Sequence, residues 1–285
     1  MKIAYYSAVL VALRGYIIFS SASLSRAKRA SQHDINGVFC IDVLVSIVTV
    51  SFNSEATIRE TIEHVLDQTY ESLEYIIIDG QSSDSTADIA RSYSEAFAAK
   101  GIAYRVISEK DDGIYDAMNK GIRLANGDIV GIINSDDWYE PDAARRAADI
   151  YHEQKYDLFY ADIMIHTKTR NIVKHAGNGR LVTTRKWNHP TTFIRREIYQ
   201  KFQYRCRNIY DDWDLILRIR RAGCKVVVLG EVLAHFRFGG VSNERSFGKV
   251  RERIRMKYRI YRENGYSRFY WLDCVIMEVA KYFSA

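Results

Sequence analysis

The sequence predicts an α/β protein with a doubly wound, mostly parallel sheet and helices on both faces. Short, nearly continuous apolar runs rich in Val and Ile alternate along the chain with segments of helical periodicity. Such runs are typical of parallel strands that are buried on both faces. Polar residues directly follow the first four runs, and ligands bind at that edge of an open α/β sheet. At 285 residues, the chain is long enough for one large domain with appendages.

The predicted elements follow in a regular order. Apolar residues recur at helical spacing at Ile58, Ile62 and Val65, after a possible cap at Asn53 or Ser54. Pro141 precedes another helix, as proline often does at a helix start. The predicted strands are Val43–Val50, Tyr75–Ile78, Ala103–Ile107, Ile129–Ile133 and Leu158–Ile165, and the later predicted helices are 85–100, Tyr115–Leu124 and Asp142–Glu153.

The end of the fourth strand, Asn134-Ser135-Asp136-Asp137, is the most informative segment of the sequence. Two carboxylates at a buried strand end are costly to desolvate unless a cation is present. A divalent metal would satisfy them, although a simple polar turn uses the same residue types. The ends of the other three strands are also polar, and mostly acidic. We therefore favour a functional site over a simple turn. These other strand ends are Ser51–Asn53, Asp79–Asp84 and Glu109–Gly113.

Two common phosphate-binding motifs are missing from the sequence. No Gly-x-Gly-x-x-Gly follows the first strand, which disfavours a dinucleotide-binding Rossmann domain. The Gly-x-x-x-x-Gly-Lys-Ser/Thr pattern of P-loop proteins is also missing. An acidic rim binds phosphate through a metal, or binds ribose hydroxyls and base N–H groups directly.

Cysteine usage and charge restrict the compartment and the partners. The four cysteines, Cys40, Cys206, Cys224 and Cys274, are widely spaced without a Cys-x-x-Cys pair, which fits a reducing compartment. Of the overall charge of +6, the segment Arg245–Arg262 carries eight basic residues and one acid, a net +7. The rest of the chain is therefore close to neutral, and we expect no nucleic-acid partner.

The two ends of the chain are predicted to lie outside the central domain, which we place at 41–243. Residues 1–40 form an N-terminal extension, in which Arg14 divides the apolar stretch and argues against a single membrane span. Residues 244–285 form a basic, amphipathic helical extension. This extension would suit an anionic membrane surface through 245–283, or would equally pack on the main domain with its charges solvated.

Four motifs in this order resemble family 2 glycosyltransferases with a GT-A fold, of the bacterial exopolysaccharide and cell-surface polysaccharide type. The motifs are Val45–Ser54, Ile76–Thr86, Gly113–Gly121 and Gly127–Trp138, and the resemblance extends from about Leu44 to Ser242. It implies a Rossmann-like nucleotide-binding half followed by an acceptor half. It also implies inverting transfer of a sugar from a nucleotide-sugar, with a UDP-sugar as the expected donor. The acceptor would be a glycan or a polyprenyl-diphosphate-linked saccharide.

The resemblance assigns the nucleotide side of the site. Asp79 matches an acid that holds the base and ribose, and Asp111 matches a second acid near the base. The family's Asp-x-Asp metal motif, which holds Mg²⁺ or Mn²⁺, matches Asn134-Ser135-Asp136, so the first acid is an Asn here. Asp136 therefore becomes the principal expected metal ligand, with Asp137 beside it. Further nucleotide-sugar-binding residues implied by the resemblance are Ser51, Asn53, Asp116, Asn119 and Lys120.

The resemblance also assigns an acceptor side. In Tyr210–Arg218, Asp212 matches the family's catalytic base, and Asp211 or Asp214 would cap the helix or orient that base. Trp138 and Trp213 would flank the sugar and acceptor. The remaining implied residues are His189 near the donor phosphates, His235 as a metal or diphosphate ligand, and Arg237 as a phosphate partner.

Other readings of the sequence make different predictions. A sugar nucleotidyltransferase would require a glycine-rich loop after strand one, where this chain has Ser51-Phe-Asn-Ser-Glu55. A catalytically inactive nucleotide- or membrane-binding scaffold on the same fold would bind without turnover. The expected location is cytoplasmic, at the inner face of the cytoplasmic membrane.

Overall fold

One mixed sheet organises the fold. The computed structural model describes residues 42–238 and 247–284, and Val43–Ala285 forms one compact unit. The strands are β1 (Val45–Ser51), β2 (Leu73–Asp79), β3 (Ala103–Ser108), β4 (Ile129–Asn134), β5 (Trp138–Tyr139), β6 (Leu158–His166), β7 (Asn171–Lys174), β8 (Phe193–Arg195) and β9 (Val226–Arg237). The helices are α1 (Ile58–Leu66), α2 (Thr86–Ser92), α3 (Ser94–Ala99), α4 (Ile114–Leu124), α5 (Ala143–Gln154), α6 (Arg196–Lys201), α7 (Asp211–Arg221), α8 (Phe247–Glu263) and α9 (Tyr270–Ser284).

The N-terminal half of the sheet is parallel. Strand β1 lies between β2 and β4, and β2 pairs with β3, all in parallel register. Every residue of β1 and β2 is buried, which explains why their sequences are nearly continuous apolar runs. The predicted α/β class and the first four strands are confirmed. The helix predicted at 85–100 is instead two short helices, α2 and α3, which meet at Tyr93.

The second half of the sheet is mixed. Strand β8 is antiparallel to both β4 and β6, while β6 and β9 run parallel with a register shift between Ala161 and Ile163. The complete strand order is β3-β2-β1-β4-β8-β6-β9-β5, with β7 paired to β6. Because β8 runs antiparallel to β4, the segment that precedes β8 lies at the same edge as the ends of β1, β2 and β4.

Helices cover both faces of the sheet. Alternate residues of β1 enter different cores, with Ile47 on one face and Val48 on the other. The first core includes buried residues of α1, α2, α3 and α5. The second core includes buried residues of α4, α6, α7, α8 and α9, so the C-terminal helices contribute to the interior of the domain.

The C-terminal extension packs on the central domain, which is one of the two alternatives left open by its sequence. Ile260 and Tyr261 of α8 and Cys274 of α9 are fully buried in the second core. None of the helices in 42–238 or 247–284 has the length and apolar character needed to cross a bilayer. The predicted N-terminal extension, residues 1–40, lies outside the described residues.

Candidate active site

The carboxylate of Asp79 organises the ends of the parallel strands. Asp79 is fully buried at the end of β2. One oxygen, Oδ1, accepts hydrogen bonds from the hydroxyls of Ser82 at 2.5 Å and Ser51 at 3.3 Å. The other, Oδ2, accepts from the Ser82 backbone N–H at 3.0 Å and the Ser108 hydroxyl at 2.6 Å. These four donors fill the accepting positions of a carboxylate. The implied direct contact between Asp79 and a nucleotide would therefore require a serine hydroxyl to turn away.

Asn53 joins the loops that follow β1 and β2. Its side-chain oxygen accepts from the Ser83 N–H at 2.9 Å, and its own N–H donates to the Ser82 hydroxyl at 2.8 Å. Asn53 adopts a left-handed conformation with φ +47°, which asparagine tolerates better than most residues. The loop contacts therefore fix the backbone of Asn53 and leave its neighbour Phe52 63% exposed.

An aromatic ring and a second carboxylate lie beside Gly80. A Cβ atom on Gly80 would lie 2.5 Å from Asp111 Oδ2 and 3.4 Å from the Phe52 ring. Gly80 is thus the residue that lets Asp111 and Phe52 approach the end of β2. The sequence motifs predict Asp111 at this position but do not point to Phe52. An exposed large aromatic at a strand end is the signal that would have identified it.

The start of α4 contains residues with different roles. Asp116 accepts from the Asp112 N–H at 3.2 Å, and the Lys120 ammonium lies 3.0 Å from Glu109. Asn119 is buried and exchanges two hydrogen bonds with the backbone of Tyr204, at 2.9 and 3.1 Å. The Asn119 amide therefore fastens α4 to the 204 loop, and binding of a nucleotide by Asn119 would require these two hydrogen bonds to break.

The turn after β4 contains two buried oxygen atoms without hydrogen-bond partners. They are Oδ1 of Asn134 and Oδ2 of Asp137. The Asp137 carboxylate receives the Arg237 N–H at 3.1 Å on its other oxygen. Burial raises the pKa of Asp137 well above its usual value, the charge of Asp136 raises it further, and burial also raises the pKa of Asp136. Unpartnered buried oxygens beside a second carboxylate fit a hard cation.

The number of protein ligands available to such a cation is small. Within residues 42–238 and 247–284, no three His, Cys, Asp or Glu side chains converge as a metal-binding group. This donor set fits Mg²⁺ or Mn²⁺, which are commonly held by one or two carboxylates together with substrate phosphates. The protein ligands of such an ion would be the carboxylates of Asp136 and Asp137, and the side-chain oxygen of Asn134 lies beside them.

His235 is not available as a metal ligand in this structure. Its Nδ1 lies 2.8 Å from Nε2 of His166, and its Nε2 lies 2.7 Å from Glu140 Oε1. The ring also stacks on Trp138, with centroids 5.1 Å apart. The pairing of β9 with β6 and with β5 creates these contacts, which is why the sequence did not reveal the role of His166.

Arg237, by contrast, lies at the acidic turn after β4. Its guanidinium is 2.6 Å from Glu60 and lies over the Trp138 ring, 5.2 Å from the centroid. Its Nε is 3.4 Å from the carbonyl oxygen of Asp136. A side chain in this position brings positive charge to the acidic turn. Trp138 is held in place between Arg237 and His235.

Asp212 lies at the junction of the two halves of the site. It is the second residue of α7 and is partly exposed. Burial raises the pKa of Tyr115, and the charge of the nearby Asp212 raises it further. The Tyr115 hydroxyl also donates to the Ile209 carbonyl at 3.0 Å, and the rings of Tyr115 and Tyr204 stack at 5.2 Å. Tyr115, at the start of α4, therefore connects the parallel half of the fold to the segment that carries Asp212.

Two neighbours of Asp212 do not face a substrate. Asp211 is fully buried, and its carboxylate accepts from the Arg207 N–H and from the Asn208 amide. Trp213 is 1% exposed and packs between Trp187 and Tyr261. Burial leaves Trp213 no surface with which to flank a sugar or an acceptor in this structure. Asp211 orders the start of α7, and Trp213 belongs to the core.

His189 lies next to Tyr204 and Trp187, whose rings pack against Tyr115 and Trp213. Its Nε2 is 3.4 Å from the Tyr204 hydroxyl, and its ring meets Trp187 edge to face at 5.9 Å. Although part of its surface remains exposed, loss of water around the ring lowers the pKa of His189 to about 4. The imidazole is therefore neutral near pH 7 and does not act there as a cation for donor phosphates.

This pKa makes folding stability depend on pH. The folded pKa of His189, about 4, lies below the ordinary value of 6.5, so the unfolded chain binds the proton more readily. We expect stability to fall as the pH drops from 6.5 towards 4. Between pH 7 and pH 5, the free energy of unfolding measured in urea should fall by about 1–2 kcal/mol more for the wild type than for His189→Asn. The exposed His152→Asn serves as control, and equal pH dependence of wild type and His189→Asn would contradict the assignment.

A parallel half-sheet with acidic strand ends, joined to a mixed half that carries an acidic helix start, defines a GT-A type glycosyltransferase. The family model for glycosyl transferase family 2 matches residues 46–210, which is more than half of the chain. The chain belongs to glycosyl transferase family 2.

The sequence is similar to those of bacterial proteins that carry glycosyltransferase names. A PGL/p-HBAD biosynthesis glycosyltransferase of Mycobacterium bovis (strain BCG / Pasteur 1173P2) is 29% identical over 223 residues, covering 76% of this chain and 86% of the relative. The putative teichuronic acid biosynthesis glycosyltransferase TuaG of Bacillus subtilis (strain 168) is 32% identical over 111 residues, covering 39% and 43%.

Solved structures share the fold at low sequence identity. Residues 1–349 of S. aureus TarS, in complex with UDP, superpose with a TM-score of 0.60 at 16% identity, covering 85% of this chain and 72% of that one. The mannosyltransferase PcManGT of Pyrobaculum calidifontis, in complex with GDP-Man and Mn²⁺, gives a TM-score of 0.59 at 16% identity, covering 93% and 78%. These similarities establish the GT-A fold.

Proposed function

We propose that the protein transfers a sugar from a nucleotide-sugar, with a UDP-sugar as donor, to a glycan or polyprenyl-diphosphate-linked saccharide, with inversion at the anomeric carbon. The observation that carries the proposal is the position of Asp212. It is partly exposed between buried neighbours, beside the tyrosine that joins it to the nucleotide half. A carboxylate in this position can act as general base towards an acceptor hydroxyl.

The reaction needs no covalent enzyme intermediate. The acceptor oxygen forms a bond to the anomeric carbon while the bond from that carbon to the diphosphate oxygen breaks. The hydroxyl proton passes to the Asp212 carboxylate, and the nucleoside diphosphate leaves. Arg237 supports this departure because its guanidinium brings positive charge to the turn formed by Asp136 and Asp137.

The ends of β1, β2 and β3 bind the nucleoside in this proposal. Phe52 offers an exposed aromatic face for the base, and Asp111 lies within the same small space near Gly80. Asp79 contributes by ordering the strand ends, and after rotation of one serine hydroxyl it would also accept from the base or ribose. Asp116 and Lys120 complete this rim, where they order the start of α4.

Asp136 and Asp137 would hold Mg²⁺ or Mn²⁺ in this proposal. The support is the unpartnered Oδ2 of buried Asp137 and the adjacent Asn134 oxygen. When bound, the ion neutralises negative charge that develops on the nucleoside diphosphate. The Mn²⁺ complex of a protein that shares the fold is consistent with this role.

The decisive experiment measures nucleoside diphosphate release from a panel of UDP-, GDP- and dTDP-sugars. A synthetic polyprenyl-diphosphate N-acetylglucosamine serves as acceptor, with Mn²⁺ or EDTA. We expect turnover with a UDP-sugar and Mn²⁺, an inverted anomeric product by NMR, and loss of activity in EDTA. UDP binding without turnover of any donor would instead support an inactive scaffold, and turnover in EDTA would refute the metal requirement.

We further propose that α9 places the enzyme on an anionic membrane, at the cytoplasmic face. Five large apolar side chains on or beside α9 are exposed, and the exposed face of α8 is rich in Arg. An apolar stripe next to a basic one suits the interface of an anionic bilayer. The exposed apolar residues are Phe269, Trp271, Leu272, Ile276 and Val279.

Vesicle sedimentation tests this surface. We expect binding to vesicles with 30% phosphatidylglycerol to fall at least tenfold in the double variant Trp271→Ser/Leu272→Ser, because two interfacial side chains are lost (about 3 kcal/mol). Ile172→Ser/Val173→Ser removes equally apolar but less exposed side chains on β7 and should bind like the wild type. Equal binding of all three proteins would contradict the proposal. Wild-type binding to neutral vesicles that equals its binding to anionic vesicles would also contradict it.

A further inference from the structure

A buried ionic cluster joins the two C-terminal helices. Glu278 of α9 is 0% exposed, and Lys257 of α8 is 1% exposed. The Lys257 ammonium lies 2.7 Å from Glu278 Oε1, and Arg253 Nε lies 2.8 Å from Oε2. Buried charges are costly to remove from water and are retained where they have close partners. The close contacts within this cluster therefore allow its charges to remain buried.

The cluster extends to Tyr210, which immediately precedes α7. The Tyr210 hydroxyl donates to Glu278 Oε1 at 3.1 Å, and the Lys257 ammonium lies 5.0 Å from the centre of the Tyr210 ring. Tyr210 is itself buried. Burial raises its pKa, and the charge of Glu278 raises it further, so the hydroxyl remains a donor at any working pH. Tyr210 is two residues before Asp212.

Two further contacts join the region around the start of α7 to α8 and the residue that follows it. Asn264, just after α8, donates to Asp214 Oδ1 at 2.9 Å, and the Arg207 guanidinium is 3.0 Å from Glu263. Asp214 is fully buried. In the five-residue segment from Tyr210 to Asp214, Asp212 is the one residue that is not buried.

From this geometry we infer that Tyr210 and Glu278 are positioning residues for Asp212, which makes the C-terminal helices part of the catalytic apparatus. The inference rests on the proposed function, because it assigns Asp212 the role of base. The start of α7 is supported on its buried side by α8 and α9, and on its open side Asp212 faces Tyr115. A change at the Tyr210 hydroxyl would shift the Asp212 carboxylate relative to the acceptor without touching the nucleotide half.

The variant Tyr210→Phe tests this inference, since it keeps the ring in the core and removes only the hydroxyl. Using the donor that the wild type turns over fastest, we expect kcat to fall about 10- to 100-fold. Donor KM, and UDP affinity measured by calorimetry, should stay within about twofold, because the nucleotide half is unchanged. Tyr270→Phe on α9 is the matched control. The Tyr270 hydroxyl accepts from the Val182 N–H at 3.1 Å, away from the cluster, so its kcat should match the wild type.

The outcomes separate the inference from the function on which it rests. A Tyr210→Phe enzyme with wild-type kcat, or with parallel losses in kcat and UDP binding, overturns the positioning role alone. Equal losses of kcat in Tyr210→Phe and Tyr270→Phe also overturn it, since they would reflect general loosening of the helix pair. A wild type that turns over no donor overturns both the function and the inference.

Discussion

Replacement of Asp212 by Asn is expected to reduce kcat for sugar transfer by about 10³-fold, within the range that general bases contribute. The amide has nearly the same shape as the carboxylate but cannot accept the acceptor proton. Asp212 is partly exposed, and its neighbours Asp211 and Trp213 hold the segment in place, so the fold should persist. Steady-state kinetics with a UDP-sugar and Mn²⁺ measure the loss, and calorimetry should find UDP binding unchanged within about twofold.

Asp149→Asn controls for the loss of a surface carboxylate, because Asp149 is exposed on α5. This control should retain full turnover and full UDP binding. A residual rate above one tenth of the wild-type rate in Asp212→Asn would exclude a role for Asp212 as the base. Loss of UDP binding in the same variant would instead indicate that Asp212 contacts the donor.

The parallel half of the sheet can be predicted because each of its elements has a clear pattern within a short stretch of sequence. Buried parallel strands such as β1 and β2 are nearly continuous apolar runs, and their alternation with amphipathic helices fixes the order of elements. The mixed half carries little such signal. Strand β8 has three residues and β5 has two, too short for a clear periodicity, and their pairing depends on contacts with distant β6 and β9.

The candidate site was predictable to a similar extent. Strand topology alone brings Asp79, Asp111 and the Asn134–Asp137 turn to one edge of the sheet. Position in a motif does not reveal which way a side chain points, so the motifs do not show that Asn119 and Trp213 face the interior. Both are buried, and each has partners more than twenty residues away in sequence. The pairing of His235 with His166 likewise follows from the register of β6 and β9.

Replacement of Glu278 by Ala is expected to lower the free energy of unfolding by about 3–5 kcal/mol. The truncation leaves the ammonium of Lys257 and the guanidinium of Arg253 without their shared carboxylate, and Lys257 is almost fully buried. Urea unfolding followed by circular dichroism measures the loss. Glu252→Ala, an exposed acid on α8, is the control and should change stability by less than about 0.5 kcal/mol. A loss below about 1 kcal/mol for Glu278→Ala would show that the cluster is solvated in solution.

Replacing the whole cluster with apolar residues separates stability from positioning. The triple variant Arg253→Met/Lys257→Met/Glu278→Leu removes the three charges of the cluster together, so we expect stability within about 1–2 kcal/mol of the wild type. Turnover should nevertheless remain as low as in Tyr210→Phe, because the Tyr210 hydroxyl has lost its acceptor. Adding Tyr210→Phe to the triple variant should then change kcat little, since both changes remove one interaction. If the triple variant has both the turnover and the stability of the wild type, the cluster only holds the helices together. Low turnover in a stable protein would mean that the C-terminal helices set the position of the base.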